Sequence, residues 1–248
     1  MDIQHILLPF VAFAAFFVKA VSGFGPALVV VGIGSVILPP HTVVPLSAML
    51  DATAGAILLF MDPVAGGRRY WGPLALVIVA GSVAGGILLS LISPELFRLV
   101  LAVTIILLAV WFTFFRARSS ESDLSTGLPS RASSGDLAAV LAGGLMGGLF
   151  GISGPPVLWH FARRLAKRAL RQVLIPVFLA AAIARVATYA GTGLVDQSVL
   201  LYYCLSLPGL LLGIYVGNKV FLSISEKTFS RVIGLILLAA GLRLLVLG

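Results

Sequence analysis

Apolar runs of about 20 residues recur at 42–61, 70–92, 95–115, 172–190, 197–217 and 228–247, each long enough to cross a hydrocarbon core of about 30 Å. In lipid the backbone of such a run has to satisfy its own hydrogen bonds, so the runs are expected to be helices. Composition excludes the alternatives. The 248 residues are 60% hydrophobic and 10% charged, whereas soluble domains are about a quarter charged. The abundance of Leu, Ile, Val and Phe also excludes disorder. The expected class is an all-α polytopic membrane protein. Its single cysteine, Cys204, leaves no intramolecular disulfide and no cysteine-built metal site. His5, His41 and His160 are too scattered to suggest a histidine metal centre, and no cofactor is implied. The net charge of +8 suggests nucleic acid in a soluble chain. Here the basic residues lie between apolar runs, which points to loops at an anionic leaflet, with membrane lipids rather than nucleic acid as partners. Residues 6–18 are similar to a signal peptide, but no Lys or Arg precedes them and they have a counterpart later in the chain, so they read as structure.

Shorter apolar segments lie at 3–22, 26–38, 137–151 and 155–162. The Ser-rich stretch from Arg116 to Asp136, with Gly127 and Pro129, reads as a linker between two halves, 1–115 and 137–248. The halves repeat. Gly81, Gly85, Ser93 and Phe97 return 132 positions later as Gly213, Gly217, Ser225 and Phe229. Pro45 returns as Pro176, and Gly25-Pro26 as Gly154-Pro155, at offsets of 131 and 129. An ordered series of this kind, with breaks in matching places, points to an internal repeat.

Basic residues set the orientation. Arg68, Arg69, Arg116, Arg118, Arg131, Arg163, Arg164, Lys167, Arg168, Arg171, Lys219 and Lys227 are 12 of the 17 Lys and Arg, and they flank alternate connections. The connections near 39–41, 92–95 and 191–197 carry none. With the twelve in the cytoplasm the long helices alternate correctly. Segment 137–162 then enters from the cytoplasmic linker and leaves into a cytoplasmic loop. Its second arm, 155–162, spans only about 12 Å at 1.5 Å per residue, which is too short to cross. It is expected to be a re-entrant or broken hairpin, with 3–38 as its counterpart from the opposite side. Each half is then a hairpin plus three crossings (42–61, 70–92 and 95–115; 172–190, 197–217 and 228–247). An odd count makes the halves antiparallel, an inverted-topology repeat of the kind that builds secondary transporters.

Both hairpin tips carry glycine and proline: Ser22-Gly23-Phe24-Gly25-Pro26 and Gly151-Ile152-Ser153-Gly154-Pro155-Pro156. Proline starts a helix and pushes the preceding residue out of helical geometry, so the chain breaks there. Two half-helix N-termini meeting at mid-membrane offer amides near Phe24–Ala27 and Ser153–Val157 to an anion. The competing reading is that glycine and proline only kink helices or let them pack closely.

Three ionisable residues fall inside apolar runs: Lys19, Asp51 and Arg185. A charge at that depth costs roughly 3 kcal/mol, so it usually faces a cavity or a partner. The functional reading has Lys19 and Arg185 drawing an anion while Asp51 takes up or releases a proton. The structural reading is an Asp51–Arg185 or Asp51–Lys19 pair that fixes packing. Ser22, Ser47, Thr53 and Ser153 are candidate donors to an oxyanion, or bond back to their own helices. His41, His160, Trp71, Trp159, Tyr189, Tyr202 and Tyr203 read as interface residues. Gly151-Ile152-Ser153-Gly154 is similar to the nucleophile setting of rhomboid intramembrane proteases. Their base is a histidine on a later membrane helix, and no histidine follows His160, so the chain is not expected to be an enzyme. It also lacks a Gly-x-x-x-x-Gly-Lys-Ser/Thr loop, so ATP is not the expected driver.

Leu145-Met146-Gly147-Gly148-Leu149-Phe150-Gly151-Ile152-Ser153-Gly154-Pro155-Pro156 resembles the glycine-rich signature of the sulfite exporter TauE/SafE family. The first tip followed by Pro39-Pro40-His41 is also like that family. So is the run Pro208-Gly209-Leu210-Leu211-Leu212-Gly213 with Gly217 and Ser225-Glu226-Lys227-Thr228-Phe229. Ser153 departs from the glycine common there, and the first tip lacks the usual three glycines. The resemblance implies a multi-pass permease of the bacterial inner membrane that moves small sulfur-containing anions such as sulfite or organosulfonates, often outward. The expected site comprises Ser22, Gly23, Phe24, Gly25, Ser153, Gly154, Lys19 and Arg185 for substrate, and Asp51 for ion coupling. An anion channel and a non-transporting membrane scaffold subunit are the alternatives, and a homo-oligomer is compatible with either reading.

Overall fold

The computed structural model describes residues 3–22, 26–61, 63–64, 67–114, 127–220 and 242. Every regular element among them is an α-helix. In chain order these are α1 (Ile3–Ser22), α2 (Pro26–Ile37), α3 (Pro40–Met61), α4 (Arg68–Leu91), α5 (Pro94–Phe114), α6 (Ser134–Phe150), α7 (Gly154–Phe161), α8 (Lys167–Gly191) and α9 (Gln197–Val220). Apart from residue 242, the apolar run 228–247 lies outside the described residues, as do the 116–126 part of the linker and the tip residues Gly23, Phe24 and Gly25.

The helix boundaries follow local chemistry. Pro26, Pro40 and Pro94 each occupy a first helical position, where the missing N–H costs nothing and the fixed φ suits the helix. α6 begins three residues before the expected 137 because Ser133 and Asp136 form a capping box, each side chain bonded to the other's backbone N–H. It ends at Gly151, whose φ of 78° lets its N–H close on the Gly147 carbonyl at 2.8 Å. α8 also begins earlier than the expected 172. Lys167, Arg168 and Arg171 belong to its first turns rather than to a basic loop, because Lys and Arg are good helix formers and extend the helix beyond its apolar stretch.

α3, α4, the Ala169–Gly191 part of α8 and the Gln197–Lys219 part of α9 are long and apolar enough to cross a membrane. Together with the shorter apolar helices they make this a multi-pass membrane protein. Leu76, Leu91, Leu107, Leu211 and Leu212 are more than half exposed, as lipid-facing side chains would be. The core draws on all nine described helices, and on α3, α4 and α8 Leu46, Leu50, Leu74, Ile78 and Val177 are at most 1% exposed.

Two glycine-lined seams fix the bundle. On α4, Gly81 and Gly85 face Gly144 and Gly148 of α6, so closely that a Cβ on Gly81 or Gly85 would stand 3.1 or 3.0 Å from the opposing glycine Cα. On α9, Gly209, Gly213 and Gly217 receive the Pro9, Phe13 and Phe17 backbone of α1. Small residues of this spacing let backbones approach where lipid supplies no hydrophobic drive. Gly81 and Gly85 are the positions that the sequence pairs with Gly213 and Gly217. In each case the glycine pair seats a helix distant in sequence, α6 on α4 and α1 on α9. α2 packs back on α1, and α7 on α6 through Gly143 and Gly147.

Candidate functional site

Lys19 lies one turn before the end of α1, Asp51 at the middle of α3, and Arg185 in the last third of α8. Separated by 32 and 134 positions in sequence, the three side chains meet. Lys19 Nζ donates to Asp51 Oδ1, and Arg185 Nη2 donates to Asp51 Oδ2 at 2.9 Å. All three residues are at least nine-tenths buried. Arg185 Nη1 donates to the Gly151 carbonyl at 2.8 Å, which ties the α6–α7 turn to the ion cluster. Two cations share one carboxylate, so the cluster carries one surplus positive charge among the described residues. A lone charge in the membrane interior is expensive, and the surplus is therefore the feature most in need of a counterpart.

A cavity of about 30 Å³ opens beside the cluster, with room for about two waters. Lys19, Asp51 and Ser153 form its polar side, Pro26, Ala27, Leu28 and Phe178 its apolar side, and Gly151, Ile152 and Gly154 complete the wall. Arg185 stands behind this wall, held by Asp51 and the Gly151 carbonyl. Ser153 is 7% exposed, and its Oγ has no hydrogen-bond partner among the described residues. It is the N-cap residue of α7, yet its side chain makes no capping bond. Gly147 makes its position possible, since a Cβ there would overlap the Ser153 hydroxyl. Arg185 Nε is likewise buried without a partner.

The expected row of amides at 153–157 is thinner than anticipated. Pro155 and Pro156 have no N–H, so Gly154 is the sole donor among the first three positions of α7. Gly23, Phe24 and Gly25 lie outside the described residues, and Ser22 closes α1. The helix that follows them brings Pro26, Ala27 and Leu28 to the cavity. Ser47 donates back to the Val44 carbonyl at 2.9 Å, and Thr53 to the Met49 carbonyl at 3.1 Å. Thr53 Oγ1 also meets the Tyr203 hydroxyl at 2.7 Å, joining α3 to α9.

One interface assignment changes. Tyr189 is fully buried, and its hydroxyl donates to the Gly148 carbonyl at 2.5 Å across the α8–α6 contact. His41 sits edge-on to the buried Phe97 ring. His160 belongs to a second cluster at the opposite end of α6 from the cavity. There Asp136, 1% exposed, meets His160 Nε2 at 2.7 Å and accepts from Arg164 Nη1 at 2.7 Å, the Tyr70 hydroxyl at 3.1 Å and the Ser133 N–H at 2.9 Å. This network pins the base of the α6–α7 hairpin to α4. In the sequence Asp136 reads as the end of the linker. The signal that identifies it is the capping-box pattern Ser133-Ser134-Gly135-Asp136.

No group of three or more His, Cys, Asp or Glu among the described residues is placed to hold a metal ion. No solved structure matches the chain. It is 25% identical, over 97% of its own length and 95% of the relative's, to a protein described as a probable sulfite/organosulfonate exporter TauE from Cupriavidus necator. The model of the family described as sulfite exporter TauE/SafE matches residues 8–244, nearly the whole chain. With a membrane-helical bundle built on the glycine motifs that carried the resemblance, this protein belongs to the TauE/SafE family of membrane exporters.

Proposed function

We propose that the protein is a secondary carrier that exports small sulfur-containing anions, such as sulfite or organosulfonates, across the bacterial inner membrane. The two halves, 1–115 and 137–248, run in opposite directions, with the linker 116–136 in the cytoplasm. They alternate access to a site between the hairpins, driven by protons or another ion. The observation that carries this reading is the surplus positive charge of the buried Lys19–Asp51–Arg185 cluster beside a cavity walled in part by Ser153, whose hydroxyl has no partner among the described residues. A negative guest supplies the missing charge, and Ser153 supplies a donor. The apolar side of the cavity, formed by Ala27, Leu28 and Phe178, suits the organic part of a sulfonate. The swapped packing of α1 on α9 and of α6 on α4, through repeat-matched glycines, supports two related halves.

The cavity is small and only partly enclosed. Its room for about two waters is roughly half of what a four-atom anion needs, so loading requires the walls to part. Purified protein in proteoliposomes is expected to show saturable counterflow of labelled sulfite or sulfonate against its own gradient. Saturating flux without counterflow identifies a channel. Absence of any flux with sulfite, sulfonates, thiosulfate and sulfate identifies a scaffold and overturns the carrier reading.

A further inference from the structure

We infer that the site selects by charge state and accepts a singly charged SO3 head, with Asp51 as the residue that sets the count. The inference rests on the cavity being the anion site. Lys19, Asp51 and Arg185 sum to +1 and are buried together. A monoanion brings the loaded site to neutrality. A dianion of the same shape leaves one uncompensated negative charge, and a neutral molecule leaves the positive one in place. In a compartment at least nine-tenths out of water, that residue of charge decides the preference, because solvent cannot screen it. A sulfonate and the protonated form of sulfite share this singly charged head. Their common feature at this site is one negative charge spread over oxygens that Lys19 and Ser153 can meet.

Asp51 is thus an internal anion that competes for the two cations. Its carboxylate already occupies both, through Lys19 Nζ and Arg185 Nη2. Replacing it by a neutral residue of the same shape raises the site to +2, the charge that balances a dianion. Lys19 faces the cavity while Arg185 is turned to the Gly151 carbonyl, so Lys19 is the cation that the substrate meets directly.

Methanesulfonate and sulfate test this, being tetrahedral, similar in size and charged −1 and −2. The full-length protein in detergent is titrated with each at constant ionic strength and pH 7.5, and binding is read from the rise in unfolding temperature. The wild type is expected to prefer methanesulfonate by about a hundredfold, the ratio equivalent to roughly 3 kcal/mol for one uncompensated charge in the membrane interior. Asp51→Asn is expected to reverse the order. Because the two anions are compared within one protein, a general loss of stability in the variant cancels. Equal affinity for both anions in the wild type, or a preference for sulfate, overturns the charge rule while leaving the anion site standing. An unchanged order in Asp51→Asn overturns the role of Asp51. If the variant does not fold, the wild-type ratio alone decides the rule. No shift with methanesulfonate, sulfate, sulfite or any longer sulfonate overturns the site itself, and the inference with it.

Discussion

Arg185→Gln isolates what the buried cluster contributes to stability. The guanidinium is 1% exposed and makes two bonds, at 2.9 Å to Asp51 Oδ2 and 2.8 Å to the Gly151 carbonyl. The change strands no charge, because Asp51 keeps Lys19, so the loss is that of the charge-assisted bonds themselves, about 3 kcal/mol. At about 2–4 °C per kcal/mol for a chain of this size, the unfolding temperature should fall by about 6–12 °C. Asp51→Asn alone should cost at least as much, since it leaves Lys19 and Arg185 uncompensated side by side. Combined with Asp51→Asn, the Arg185→Gln change removes one of two buried like charges. The double variant should therefore be less destabilised than the sum of the singles, by about 2 kcal/mol, within the range found for residues in contact. The assay is thermal unfolding in detergent, followed by tryptophan fluorescence, for the wild type, both singles and the double. Costs that add to within about 0.5 kcal/mol would mean that the three side chains do not act as one electrostatic unit, and the surplus-charge reasoning would lose its basis.

Ser153→Ala separates a packing role from a binding role. Its hydroxyl is buried without a partner, so its loss should leave stability unchanged or slightly raised. Affinity for a sulfonate should nonetheless fall by about tenfold, in line with one hydrogen bond to a charged group; unchanged affinity would remove Ser153 from the site. Gly148→Ala should destabilise the α4–α6 seam by about 1–3 kcal/mol, because its Cβ would stand 2.6 Å from the Gly86 nitrogen. Gly72→Ala, with nothing within 4 Å of its Cβ, should stabilise α4 by up to about 1 kcal/mol; equal unfolding temperatures for the two variants would count against the seam. Asp136→Ala should free the base of the α6–α7 hairpin and speed tryptic cleavage after Arg163 and Arg164, and an unchanged cleavage rate would show that the Asp136 network is not what holds that loop.

Helices were legible in the sequence because the two strongest local signals coincide: apolar runs of membrane length, and prolines at Pro26, Pro40 and Pro94 that mark where helices begin. The boundaries that moved, at α6 and α8, moved for polar reasons. A capping box drew Ser134 to Asp136 into a helix, and Lys167, Arg168 and Arg171 continued one. Hydropathy cannot register either effect. The buried ionisable residues were also legible, since charge inside an apolar run is rare enough to stand out. Their arrangement was not. Sequence offers Lys19 or Arg185 as the partner of Asp51, and the fold uses both, because the carboxylate has two oxygens to offer. The fate of Arg185 depends on a single backbone atom, the Gly151 carbonyl, which no side-chain pattern encodes.

Tyr189 shows the same limit. Near the end of an apolar helix it reads as an interface ring, yet the glycines of α6 let that helix come close enough for the hydroxyl to reach the Gly148 carbonyl. Close approach is a property of two helices together. The glycine repeat predicts that some pair of helices is close, whereas which pair follows only from the fold. That distinction bears on the proposed anion site. Gly147 and Gly151, which look like packing residues, are what admit the Ser153 hydroxyl and present the carbonyl that Arg185 holds. The hairpin turn is therefore fixed by the same cation that holds Asp51. An anion that draws Asp51 or Arg185 away from its present partners has to disturb that turn as well, so occupancy of the cavity and position of the hairpin are mechanically one variable.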